Sequence, residues 1–401
     1  MRDSDWNEVS LGDIIEKVSK PVDVEPHQLY RQIGIRSHGK GLFDKEPVSG
    51  ASLGDKRVFW VEPDCLIVNI VFAWEMAVAR TTENDIGKIA SHRFPMFKPL
   101  PGKADVDFLT YLFQTPIGRH LLTLASPGGA GRNKTLGQDA FLNSVIRVPN
   151  IETQRIISRA LITWDRAINV AAQLCESSRN QKTVLMGELL TGRRRLPGFS
   201  AQFSQREMHH IADVDRKSLL NNTQSNYSFR YISLADVEPG RIADLLPRTT
   251  FGEAPSRARR VLAPGDVLLS TVRPNLMGHA RVTCSHADCI ASTGFAVLTV
   301  KDGFSADYLF HYLFSKNMIE QINQLVTGSN YPAINSSDVQ RLKIYCPEQA
   351  EQLAIAAILN NADRVIGNLE AQVSRLKSEK TGLMQQLMTG KRQIQARELA
   401  A

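Results

Sequence analysis

The sequence predicts an α+β protein: two globules of mixed α/β structure separated by two long α-helices. These helices are expected to pair as an antiparallel coiled coil, in a chain built on a pseudo-twofold internal repeat. Three observations lead there. Residues 149–194 realign with 347–392 at a constant offset of 198, without a gap. In both copies apolar residues recur at alternating steps of four and three, a heptad seam. Outside the copies the chain carries shorter, mixed strand and helix signals.

In the first globule, Glu62–Asn69 (E-P-D-C-L-I-V-N) reads as a turn feeding a buried strand, and Asp107–Phe113 (D-F-L-T-Y-L-F) as a helix. The first long helix follows. Its seam is Ile157, Leu161, Trp164, Ile168, Ala171, Cys175, Ser178, Lys182, Leu185 and Leu189. About 38 residues at 1.5 Å each make a rod of roughly 55 Å. Thr191-Gly192 ends it, the glycine suited to a left-handed cap, with basic residues placed for the last carbonyls. Arg194–Phe199 (R-R-L-P-G-F) makes a break. The second globule repeats the signals: Ala263–Ser270 (A-P-G-D-V-L-L-S) answers the strand and Asp307–Phe314 (D-Y-L-F-H-Y-L-F) the helix. The second long helix carries the seam Ile355, Leu359, Ala362, Ile366, Leu369, Val373, Leu376, Lys380, Leu383 and Leu387, before Thr389-Gly390. A helix with one apolar stripe must bury it, and two matching stripes suggest that each buries the other. Lys182 and Lys380 interrupt both seams at one level, either fixing register or laying their stems along the seam edge.

Composition narrows the function. With 43% apolar and 22% charged residues and no run near the ~20 apolar residues of a bilayer span, a soluble protein is expected. The opening M-R-D-S-D-W-N-E-V-S-L-G-D is acidic and polar where a secretory signal would be basic and then apolar, so a cytoplasmic location is expected. Five scattered cysteines argue against a disulfide framework. Cys284 and Cys289, with His279 nearby, lack the second ligand pair that zinc usually needs, so no metal site is expected. The net charge of +7 is spread thinly: residues 1–150, 151–198, 199–345 and 346–401 carry 0, +4, +2 and +1. That hints at a polyanionic partner without a basic tail.

Two stretches come close to catalytic motifs. Ser126–Thr135 (S-P-G-G-A-G-R-N-K-T) resembles a phosphate-cradling loop, but Asn133 stands where the second glycine belongs. His209 and His210, with Asp213 and Asp215, have no counterparts in the first half and assemble no nucleophile, base and orienting group. Neither an adenosylmethionine-type glycine loop nor an Asn/Asp-Pro-Pro-Tyr/Phe stretch occurs. The chain is therefore expected to be non-catalytic.

The motifs Trp6–Asp13 (W-N-E-V-S-L-G-D), Pro149–Ile157 with Pro347–Ile355, and Leu189–Phe199 with Leu387–Arg392 carry a resemblance. The pattern P-x-x-x-x-Q…D-R-x-I…L-M…L-[LM]-T-G-[KR]-R, present twice, resembles the specificity subunit of type I restriction–modification systems. The resemblance implies target-recognition domains at 1–150 and 199–346, with conserved spacer helices at 151–198 and 347–401. Each domain would read one half of a split double-stranded DNA site, the helix pair setting the spacing. Two methyltransferase subunits would dock on the scaffold, and translocase–nuclease subunits would join for cleavage. S-adenosylmethionine would then belong to the methyltransferase, and ATP with Mg to the translocase–nuclease, leaving no cofactor in this chain.

Base readout needs Arg, Lys, amide or hydroxyl groups on exposed loops. The candidates are Arg36, Ser37, His38 and Lys40, then Arg132, Asn133 and Lys134, in the first globule. In the second they are Arg257, Arg259, Arg260, Arg273, Asn275, Asn330 and Tyr331. Two alternatives remain at this point: a coiled-coil scaffold for proteins alone, which the seam fits equally well, and a self-contained DNA methyltransferase or nuclease, against which stands the lack of an active-site constellation.

Overall fold

The computed structural model describes residues 6–128, 134–326 and 332–393. The long helices are Ile151–Leu189 and Gln349–Met388, 39 and 40 residues. Two compact units divide the chain, residues 1–171 with 372–401 and residues 172–371. The division does not fall at Arg194–Phe199, where the sequence suggests a break; it falls inside each long helix. The cause lies in burial, since the two halves of a helix pack into the cores of different units.

In the first unit, Trp6–Ser10 pairs antiparallel with Val145–Pro149 and so closes the globule where the helix begins. The central sheet has the order Ile15–Val18, Met96–Pro99, Leu66–Val68, Val78–Arg80, all antiparallel. Leu66, Ile67 and Val68 are each wholly buried, as the continuous apolar run L-I-V requires. The helix Val106–Leu112 packs on this sheet, capped by Asp105 accepting from Phe108 N. Ile157 and Leu161 of the first long helix share its core with Leu387 and Met388 of the second.

The second unit uses the same sheet order: Ala212–Val214, Phe295–Val300, Val267–Ser270, Ala280–Arg281. Ser204–Glu207 pairs with Lys343–Cys346, matching the closing pair of the first unit. A further four-stranded sheet, with one parallel pairing, extends this unit. Here Leu189 and Leu190 share a core with Ile355 and Leu359.

Gln154 and Gln352, the Q of P-x-x-x-x-Q, are almost fully buried. Gln154 accepts from Asp105 N at 2.9 Å and donates to Pro149 O at 2.9 Å. Gln352 does the same with Ser305 N, 3.0 Å, and Pro347 O, 2.8 Å. Each glutamine thus pins the start of a long helix to its globule with a satisfied amide. No seam residue is exposed; Ile157, Leu161, Ile168, Leu189, Ile355, Leu359, Ile366 and Leu387 are buried, while Trp164, Leu185, Leu369, Val373, Leu376 and Leu383 are half-buried. The seam lysines find acidic partners on the other long helix: Lys380 Nζ lies 2.6 Å from Asp165 and Lys182 Nζ 2.5 Å from Asp363. Asp165 also accepts from Tyr111 Oη at 2.7 Å.

Gly192 and Gly390 end the helices at φ of +69° and +71°. An aromatic closes each cap: a Cβ at Gly192 would meet the Phe203 ring at 3.3 Å, and one at Gly390 the Trp6 indole at 2.9 Å. The basic residues expected beside the last carbonyls follow the final turn instead. Arg195 forks onto Glu351 at 2.9 and 2.6 Å, compensating a carboxylate that is wholly buried in the first turn of the second long helix.

Candidate nucleic-acid interface

In the first unit the R-S-H-G-K-G loop joins the strands Ile33–Ile35 and Leu42–Asp44. Its tight path uses positive φ at His38, Gly39 and Gly41. The loop is pinned to the Asn69–Met76 turn: His38 N donates to Glu75 O at 2.7 Å, Gly39 N to Met76 O at 2.9 Å, and Ser37 Oγ to Glu75 Oε2 at 2.9 Å. Arg36 stacks on Phe43 and donates to Leu42 O, so it braces the loop. Lys40 and His38 are exposed. Lys134 Nζ sits 5.6 Å from the centre of the Trp74 ring, while Arg132 and Asn133 lie outside the described residues. Against the Asn69–Met76 turn the structure therefore brings Ser37, His38 and Lys134.

That turn also walls a cavity of about 420 Å³, whose lining includes Gly34, Phe43, Asn69, Phe72 and Phe94. Gly34 leaves room for the Phe43 ring, which a Cβ there would meet at 2.3 Å and displace. An adjoining depression of about 500 Å³ shares Lys45, Asn69, Phe72 and Phe94 and adds Lys56, His92 and Arg93. Cations thus rim an aromatic hollow. A search for cations and amides passes over Phe72 and Trp74; the signal that finds them is the alignment of Asn69–Met76 with Ser270–Met277, both ending in methionine.

In the second unit Arg273 and Asn275 are exposed on the turn around Pro274–Leu276, which Arg273 and Met277 enter and leave with φ of +51°. Arg273 N donates to Pro332 O at 2.7 Å, and Ile334 N to Thr271 O at 2.9 Å. The turn stands on His279, whose buried ring accepts from Ser270 N at 3.1 Å; burial pushes its pKa down to about 4, so it is neutral at pH 7. Asn330 and Tyr331 lie outside the described residues.

The arginine trio divides. Arg257 is exposed, and its backbone carbonyl accepts from Thr293 N beside the turn's Thr271–Gly294 link. Arg259 stacks 4.6 Å over Phe251. Arg260 is committed to Asp215 at 2.7 Å, and Asp215 in turn accepts from Val297 N and Ser336 Oγ. That carboxylate is a structural hub, which accounts for an Asp held at φ +58°. Among the described residues no group of three or more His, Cys, Asp or Glu is placed to hold a metal ion. Nor is any helix there long and apolar enough to cross a membrane.

The chain is similar to known proteins along its whole length. Residues 211–377 match the family model described as the type I restriction modification DNA specificity domain. The specificity subunit of the type I restriction enzyme MjaVIII of Methanocaldococcus jannaschii is 23% identical, over 96% of this chain and 93% of its own. A solved type I restriction–modification S subunit from M. genitalium shares the fold with a TM-score of 0.59 at 13% identity, over 95% of this chain and 96% of its own. A chain solved in work on the complex assembly and conformational transition of a type I restriction–modification system gives 0.58 at 19% identity, over 96% and 97%.

Proposed function

We propose that this chain works as does the family to which it belongs, the specificity subunits of type I restriction–modification systems. It recognises DNA sequence for such a complex. Each globule reads one half of a bipartite double-stranded site. The long helices form an antiparallel coiled coil that relates two equivalent readers and sets the spacing of the half-sites. Two methyltransferase subunits dock on this scaffold and bind S-adenosylmethionine; translocase–nuclease subunits, with ATP and Mg, join for cleavage in the cytoplasm. This chain supplies recognition and no chemistry.

The observation that carries the reading is the doubled architecture. Both units have the same sheet order and the same glutamine pin, and each has a lysine–aspartate pair between the long helices. Such a repeat suits a site with two halves, since each reader needs the same mounting.

Single-molecule methylome sequencing of cells carrying this chain with its methyltransferase is the test. A split adenine-methylated motif, lost on deleting this chain, is expected. Purified complex should bind that motif with a steep salt dependence. Absence of any bipartite preference at moderate salt would leave the protein-only scaffold. Turnover by the isolated chain with S-adenosylmethionine or Mg would instead make it an enzyme.

A further inference from the structure

Asn69–Met76 and Ser270–Met277 occupy one place in the two globules. Each leaves the third strand in the order of its central sheet, contains a short 3-10 turn (Ala73–Glu75 and Pro274–Leu276), and ends on a methionine of left-handed φ, +59° and +51°. Each is tied by a backbone hydrogen bond to the segment before the last short helix of its globule, Leu136 N to Ile70 O at 2.8 Å ahead of Gln138–Leu142 and Ile334 N to Thr271 O at 2.9 Å ahead of Ser336–Arg341. The 3-10 segment and its closing methionine are kept, while the tips change in kind and the entry to the turn differs, Phe72 having φ of −125° where Arg273 has +51°. The second turn presents Arg273 and Asn275, which can donate to base edges. At the same two positions the first presents Phe72, 37% exposed, and Trp74.

Phenylalanine cannot read a hydrogen-bond pattern. The apolar feature that a major groove offers is the 5-methyl group of thymine. Phe72 lines the 420 Å³ hollow together with Phe43, Phe94 and Asn69. Lys45 lines this hollow and Arg93 the adjoining 500 Å³ depression that shares Phe72, both suited in charge to the phosphates that flank a base pair. We infer that this turn and hollow form a thymine-reading site. Phe72 contacts the 5-methyl edge of a thymine in one half-site, and Lys45 and Arg93 hold the adjacent backbone. The two half-sites are thus read by opposite chemistries on one scaffold: apolar contact in the first unit, donor groups in the second. This rests on the DNA-reading function proposed above.

The test uses the full chain in complex with its methyltransferase subunits and selects from duplexes randomised in both half-sites. The unsubstituted complex should enrich a bipartite sequence with a thymine in at least one half. Phe72→Ala should then relax one position of one half-site, losing roughly tenfold in preference there, while Arg273→Ala alters the other half-site. Replacing that thymidine by deoxyuridine, which lacks only the methyl, should cost the unsubstituted complex a similar factor and cost Phe72→Ala nothing further. Phe72→Leu, which keeps an apolar tip, should retain most of the preference. The inference is overturned when Phe72→Ala leaves the selected sequence unchanged, weakens all duplexes alike, or remains sensitive to deoxyuridine. Should the unsubstituted complex select no bipartite sequence, the DNA-reading function falls first and this site with it.

Discussion

Lys380 and Asp165 offer a measurable account of what joins the long helices within the first unit. The ammonium sits 2.6 Å from the carboxylate, with side-chain exposures of 16% and 41%. Two unit charges at ~4 Å attract by about 4 kcal/mol at an effective dielectric near 20. Desolvation of the lysine and the half-exposed aspartate reduce this to a net of roughly 1–2 kcal/mol. Asp165→Asn strands a mostly buried ammonium, so its cost should exceed the pair's net worth, about 2–3 kcal/mol. Lys380→Met leaves the aspartate with water and the Tyr111 hydroxyl, and should cost less, about 1 kcal/mol. The double variant should be more stable than the sum of the singles predicts by at least ~1 kcal/mol. Urea unfolding of the four chains, followed by far-ultraviolet circular dichroism and by tryptophan fluorescence, gives the cycle. Singles that add to within ~0.5 kcal/mol would mean the pair is an ornament of the seam and the register argument fails.

Four further expectations are open to measurement. Burial holds His279 and His311 down to about 4, the latter opposed also by Lys182 and Arg281 and favoured by Asn360 and Asp363. Both histidines bind protons more readily unfolded than folded, so stability is full above pH ~6.5 and falls as pH drops toward 4, by roughly 2–3 kcal/mol per histidine at pH 4.5. Urea midpoints at pH 7, 5.5 and 4.5 test it, and His279→Gln should flatten the profile. Gly390→Ala and Gly192→Ala should each cost about 1–2 kcal/mol for the left-handed φ. Thermal melts should rank Gly390→Ala as the worse, because its Cβ meets the Trp6 ring at 2.9 Å against 3.3 Å for Phe203. Arg260→Gln, which strands the 10%-exposed Asp215 side chain, should destabilise by about 2–3 kcal/mol. Arg257→Ala should shift stability by less than ~0.5 kcal/mol, and lower the salt slope of DNA binding by about one if Arg257 touches a phosphate.

The parts of this fold that obey a period were legible in the sequence. A heptad stripe needs no distant partner to be seen, and each residue of it is at least half-buried. The buried strands at Leu66–Val68 and Val267–Ser270 were legible for the same reason, being apolar runs bounded by turns. What could not be read were pairings that depend on the path of the chain. Asp165 and Lys380 are 215 residues apart, and a seam lysine looks the same alone whether it meets water or a carboxylate. Arg260 shows how local reading of charge goes astray: among three arginines in four positions, the hub at Asp215 claims one and Phe251 stacks another. The candidate interface was half legible, since cations and amides in loops announce themselves. Phe72 and Trp74 look like core residues until their turn is placed at the surface.

The repeat itself separates mounting from reading. Positions that match across the offset of 198 include Gln154 and Gln352, Asp165 and Asp363, Lys182 and Lys380, Gly192 and Gly390, and each of these holds a long helix to a globule, to the other helix, or to its cap. Positions that differ include, at an offset of 201, Phe72 against Arg273, Trp74 against Asn275 and Glu75 against Leu276, on turns that share a 3-10 segment, a closing left-handed methionine and a backbone anchor, although Phe72 has φ of −125° where Arg273 has +51°. A protein duplicated merely for stability would have no reason to keep its joints and alter its tips. Two readers facing unlike sequences from one mount would have to do so, because side chains at a groove set specificity while backbone anchors set only position. Exchanging the tips, Phe72→Arg with Trp74→Asn, should therefore move the first unit's preference toward that of the second without unfolding either.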